Sequence, residues 1–152
     1  MTEPVIRRAT AADLPAIVAM LADDPLGRTR EDLSIPLDPR YTAAFHAIDA
    51  DPNQLLAVVE RGGDVVGTLQ LTFLPGLSHR GGWRGLVEAV RIAEAERGVG
   101  LGATLMQWAI EKCRERGCRM VQLTTDKSRT DAHRFYERLG FRASHEGMKL
   151  VL

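Results

Sequence analysis

Cysteine is nearly absent: Cys113 and Cys118 are the only two in 152 residues. Two thiols cannot make a zinc site by themselves or a disulfide framework, so both are expected to be plain buried thiols and no metal is expected. An excess of charge is missing as well. Twenty Lys and Arg balance twenty Asp and Glu, so no overall field draws the chain to nucleic acid or to an anionic membrane, and neither is an expected partner. No window approaches the ~20 consecutive apolar residues of a membrane span, and the opening Met1-Thr2-Glu3-Pro4 is polar, which places the chain in the cytosol as an expectation. Internal repeats and low-complexity tracts are absent too. What remains is 152 residues of 45% apolar composition, enough for one domain over 1–152 with a real core and too short for two ordinary ones.

Glycine is plentiful in one place. Arg97-Gly98-Val99-Gly100-Leu101-Gly102-Ala103 lies between an apolar strand-like run ending at Ile92 and an amphipathic run beginning near Leu101. A Gly-rich turn that opens a helix aims several backbone N–H groups at one point, and the helix N-terminus adds about half a positive charge there, so the stretch is expected to cradle a phosphate. Glycines at 98, 100 and 102 would let the backbone approach the ligand closely, with Arg97 as a fixed charge beside it. No Gly-Lys-Ser/Thr follows, which excludes a Walker loop, and the even glycine spacing does not match a dinucleotide fingerprint.

The flanks supply the scaffold. Val5–Arg8 is a short strand, and Thr10-x-x-Asp13 a capping box before a helix with Leu14, Ile17, Val18 and Leu21 on one face. A mobile loop is expected to about Pro39, then a second helix over Tyr41–Ile48. Runs at Leu55–Glu60 and Val65–Phe73, joined by Arg61-Gly62-Gly63-Asp64, form an antiparallel hairpin. Strand 86–92, helix 101–116 and strand 118–124 make a βαβ unit with the cradle at the C-terminal edge of its first strand, where ligands are expected. Ser128-x-x-Asp131 is a second capping box heading a helix that ends at Gly140. Phe141–Ala143 and Met148–Leu152 are expected to close the sheet.

Arg97-x-x-Gly100-x-Gly102, preceded by Val90-Arg91-Ile92 and followed by Ala132-His133-Arg134-Phe135-Tyr136-Glu137-Arg138-Leu139-Gly140-Phe141, resembles the GNAT (Gcn5-related N-acetyltransferase) superfamily over essentially the whole chain. The resemblance implies an α/β acetyltransferase fold: a mixed, mostly antiparallel sheet, splayed where coenzyme A enters, with about four helices. It implies acetyl transfer from acetyl-CoA to a primary amine, by direct attack in a ternary complex, with a small-molecule acceptor. Val90, Arg91 and Ile92 would lie along the pantetheine arm, the first and last through their backbone. Arg97, Gly98, Val99, Gly100, Leu101, Gly102 and Ala103 would hold the pyrophosphate. Glu88 would help deprotonate the amine, its carboxylate facing the same side as Leu86, Val90 and Ile92 in a poorly solvated place that raises its pKa. An ordinary salt bridge to Arg91 or Arg84 is the alternative for Glu88. Tyr136 would protonate the leaving thiolate, or else be a half-buried core tyrosine. Arg129 stands where many members have Asn, and could meet a CoA phosphate. The acceptor is expected near Asp23, Asp24, Arg28, Arg30, His79 and Trp83. A protein or peptide acceptor, a CoA-binding regulatory module without turnover, and a homodimer built through the alternating Met148, Leu150 and Leu152 are also open.

Overall fold

A computed structural model of the chain describes residues 2–152; Met1, read above as opening a polar segment, lies outside them. Strand β1 (Val5–Arg8) leads through a 3-10 turn at Ala11–Asp13 into α1 (Leu14–Ala22). Asp13 fixes that start. Its carboxylate accepts from the Thr10 N–H at 2.7 Å and from the Arg7 fork at 2.8 and 3.0 Å. The Arg7 hydrogen bonds outweigh burial and hold the Asp13 carboxyl below its usual range. Leu14, Ile17 and Val18 are buried as the spacing requires. Helix α2 (Pro39–Ala50) is longer at both ends than the periodicity suggests, because Asp38 caps it, accepting from the Arg40 N–H at 2.9 Å, and Pro39 pre-sets its first turn.

The sheet runs β1-β2-β3-β4-β5, with β2 at Gln54–Arg61, β3 at Asp64–Leu74, β4 at Arg84–Ile92 and β5 at Met120–Leu123. Only β4 and β5 are parallel; the other neighbours are antiparallel. Helices α3 (Leu101–Glu115) and α4 (Thr130–Arg138) complete the α/β architecture. Strand alternation sorts the faces. Leu69, Leu71, Phe73 and Val87 pack with Leu105, Met106 and Ala109 of α3, while Leu56 and Val58 meet α1 and Phe45 of α2 on the other side. Gly85 is what lets α3 descend onto β4: a Cβ there would lie 2.2 Å from the Cys113 Sγ. The same burial pushes the Cys113 thiol up to about 12, so it stays protonated and inert.

Two expectations fail for identifiable reasons. The Ser128-x-x-Asp131 box does not form, because Asp126 captures the Ser128 N–H and hydroxyl at 2.9 and 2.6 Å, Asp131 is fully exposed, and the helix starts at Thr130. The segment before β4, by contrast, is a loop with a single turn, Ser78–Gly81, where His79 and Arg80 stand at φ +52° and +59°. Residues 141–152 form no strand, and Met148, Leu150, Val151 and Leu152 are almost wholly exposed. Their alternation suits a strand, but a strand needs an edge to pair with, and β5 remains the outermost strand among the described residues.

Candidate active site

The site begins with a pairing that stops half-way. β5 matches β4 only from Arg84 to Val87, so Glu88 to Ile92 have β3 on one side and an open edge on the other. Two carbonyls in this stretch are taken by arginine side chains instead of a strand: Val90 O accepts from Arg91 Nη1 at 2.9 Å and Ile92 O from Arg97 Nε at 3.0 Å. Such a half-free strand is a ready template for an extended ligand.

Immediately beyond it stands the Gly-rich turn. Gly98 and Gly100 have φ of +83° and +84°, conformations that L side chains rarely adopt, and a Cβ at either would meet nothing within 4 Å. These two therefore serve backbone shape and leave open space outside. Gly100 is the N-cap of α3, and the first N–H groups of the helix have no intrahelical acceptor, so they and the dipole face that space. Gly102 differs from the expectation. Its Cβ would touch Phe135 at 3.5 Å and Ile92 at 3.8 Å, so this glycine faces the α3–α4 packing and not the ligand side. Arg97 is half exposed and reaches back to the end of α1, where its Nη2 lies 3.4 Å from Asp23 Oδ2.

Within the open stretch, β4 carries a bulge. The β3–β4 register shifts between Thr68 and Gln70, and Ala89 sits at φ +52°. Glu88 and Leu86 consequently share the α1–α2 face with Gln70 and Thr72, whereas Val90 and Ile92 pack on the α3 cluster. Simple alternation, which put Glu88 with Val90 and Ile92, fails at this residue. Glu88 is also exposed, which removes the premise that desolvation tunes it. The salt bridge to Arg91 does not form either.

Arg91 turns to Asp24. That buried carboxylate accepts from Arg129 Nη1 and Nη2 at 2.8 and 2.7 Å and from the Gly27 N–H at 3.0 Å, with Arg91 and Arg30 guanidiniums each 3.8 Å away. Burial pushes the Asp24 carboxyl upward, but the Arg129 hydrogen bonds, the Gly27 N–H and the charges of Arg129 and Arg91 hold it below its usual range. Tyr136 lies beside this cluster, edge-on to Phe135 and Phe141. Burial raises its phenol above the usual 10 while the charges of Arg91 and Arg129 oppose, and no hydrogen bond contributes, so it stands protonated at neutral pH. A cavity of about 160 Å³ opens on the α1–α2 face of the sheet, reached by Leu21, Tyr41, Gln70 and Ala89.

A match to the model of the acetyltransferase (GNAT) family spans residues 18–141, covering the bulged strand, the turn and Tyr136. The chain belongs to the GNAT acetyltransferase family. It is 33% identical over 141 residues to an aminoalkylphosphonate N-acetyltransferase of Salmonella typhimurium, covering 92% of this chain and 86% of that protein. An L-methionine sulfoximine/L-methionine sulfone acetyltransferase of Pseudomonas paraeruginosa is 30% identical over 91% of this chain and 80% of its own length. Among solved structures, a transcriptional regulator from Bacillus halodurans superposes with a TM-score of 0.96 at 52% identity, over 99% of this chain and all of that one. A Trypanosoma brucei acetyltransferase gives 0.80 at 26% identity, covering 99% and 100%.

As a GNAT acetyltransferase, the chain acetylates an amine with acetyl-CoA as donor. The open edge of β4 and the glycine turn fit the donor's extended arm and its phosphates. Asp24, Arg30 and Tyr136 gather around Arg91 and Arg129, and Glu88 lies three residues before Arg91 on the same face of β4. His79 and Trp83 are not among them: Trp83 precedes β4 and packs on the α3 side, and eight residues of strand, roughly 25 Å, separate it from Arg91. Arg28 is exposed beside the cluster. The hub role of Asp24 and the bulge at Ala89 have no local sequence signal, since one is made by residues 67 and 105 positions away and the other by an ordinary alanine.

Proposed function

We propose that this GNAT acetyltransferase moves an acetyl group from acetyl-CoA to the primary amine of a small molecule, by direct attack with both substrates bound. The observation that carries the reading is the strand β4, released from β5 after Val87 and leading into the glycine turn. Val90 and Ile92 offer backbone groups to the pantetheine arm, and Arg97 with residues 98–103 receives the pyrophosphate. The bound donor supplies a thioester. Glu88, on the face of β4 that it shares with Gln70, takes the amine proton directly or through water as the N–C bond forms. Tyr136, kept protonated by its surroundings, gives its proton to the sulfur as the C–S bond breaks. Relatives named for small acceptors support a small molecule over an extended peptide.

The test is Tyr136→Phe, which keeps the ring packed between Phe135 and Phe141. Acetyl-CoA affinity should stay within about tenfold, while free-thiol release with the best amine should fall by ~10²-fold. Turnover within threefold of wild type would remove the general-acid role; collapse of thermal stability would make Tyr136 a core residue. The 52% identity to a protein described as a regulator favours a second reading, a CoA-binding module. Acetyl-CoA binding without thiol release across an amine panel would establish it. The same proposal includes a homodimer in which residues 147–152 find in a second copy the pairing they lack in their own.

A further inference from the structure

We propose that Arg91, Arg30 and Arg129 form a receptor for an anionic group carried by the acceptor itself, so that the substrates are small amines bearing a phosphonate, phosphate or carboxylate. This rests on the reading above, which makes the Glu88–Tyr136 end of the site the reacting end.

Three guanidiniums converge on one carboxylate, which leaves two positive charges uncompensated. Asp24 is already saturated: the Arg129 fork and the Gly27 N–H occupy its oxygens at 2.7–3.0 Å. Arg91 and Arg30 stand at 3.8 Å, close enough to feel its charge and too far to share its lone pairs. Arg91 spends Nη1 on its neighbour's carbonyl, and its Nε is buried with no partner among the described residues. A buried charged donor left unmade is costly, and such groups are almost always satisfied. Its own side chain is only 15% exposed, so bulk water does not supply the missing partner. Burial and the like charges of Arg129 and Arg30 bear on it, with Asp24 opposing.

An oxyanion beside Arg91 would meet its Nη2, which makes no hydrogen bond of its own among the described residues, and balance the charge, a dianion completely. The place suits an acceptor. Glu88 and Arg91 flank the bulge on β4 and pair with Gln70 and Thr68, two residues and roughly 7 Å apart on β3, a span for a molecule whose amine and acid are separated by a few bonds. The phosphate-facing turn is a separate position, with Arg97 tied to Ile92 and Asp23. Arg30, 55% exposed, lies at the solvent side of the cluster and would meet the acid as it enters.

The experiment measures kcat/KM by thiol release with the full chain and saturating acetyl-CoA. The acceptors are 2-aminoethylphosphonate, β-alanine and the neutral propylamine and ethanolamine. Wild type should favour the acidic amines by at least 100-fold. Arg91→Gln should erase most of that preference through KM for the acidic acceptor. Arg30→Gln, at an exposed position that does not threaten folding, should reduce it by about tenfold. Equal use of neutral and acidic amines would overturn the proposal, as would a preference unchanged in folded Arg30→Gln and Arg91→Gln. A wild type that uses succinyl-CoA better than acetyl-CoA on neutral amines would assign the arginines to the donor and overturn it as well. No thiol release with any amine would overturn it together with the acetyl-transfer reading; release without discrimination would overturn it alone.

Discussion

Asp24 illustrates how much one side chain decides when its partners come from distant parts of the chain. In the sequence it is one acid in Asp23-Asp24-Pro25, a helix-stopping loop; in the fold it joins the end of α1 to β4 and to the start of α4. Replacing it by Asn leaves Arg129 and Arg91 facing each other without a counter-charge. The expected cost is about 2–3 kcal/mol at pH 7, seen as a lower urea midpoint. Because the folded-state carboxyl is held below its ordinary value, its contribution is present above pH ~4 and lost as pH falls through the folded pKa. Wild type and Asp24→Asn should therefore converge in stability on titration below pH 4. Glu88 makes the opposite case. The resemblance makes it a site residue in expectation, its expected burial is not met, and an exposed base acts through position. Glu88→Gln should lower turnover most near neutral pH and recover partly at high pH, where free amine is abundant. A pH–rate profile that overlays wild type would leave Glu88 without a role in proton transfer.

At the scale of elements, most of the scaffold follows from periodicity and turn chemistry, because those signals are local: α1, α3 and the β2–β3 hairpin lie close to where the spacing puts them. β4 is legible as a strand and not as a bulged one. Its irregularity is stored in an alanine at φ +52°, a conformation costing of order 1 kcal/mol that only the surrounding sheet enforces. The glycine turn is legible in outline, yet Gly102 answers to Phe135 and Ile92, a packing reason that no motif spells out. If this turn and the open edge serve one ligand, Arg97→Ala should weaken acetyl-CoA binding about tenfold in calorimetry while leaving the fold intact. Hydrogen exchange offers a second measurement. Residues 85–87, paired on both sides, should exchange slowly in the free protein, and the segment 90–92 should gain protection when acetyl-CoA is added. Unchanged exchange there would place the donor arm elsewhere.

For the whole molecule, the five-stranded sheet with helices on both faces accounts for the core and leaves residues 142–152 outside it. Met148, Leu150, Val151 and Leu152 are 86% to 112% exposed, while β5 offers an outer edge of four residues. Composition foretold an apolar alternation here, but the sequence of one copy does not say which edge receives it. With a second copy as that edge, sedimentation at high micromolar concentration should give a dimer, and Leu150→Glu should give a monomer. Monomer throughout would reject the pairing. A tail that is buried only by its neighbour also changes what heating measures. The melting temperature then ceases to be a constant of the chain: it should climb as the protein is concentrated, by mass action, and become independent of concentration in Leu150→Glu.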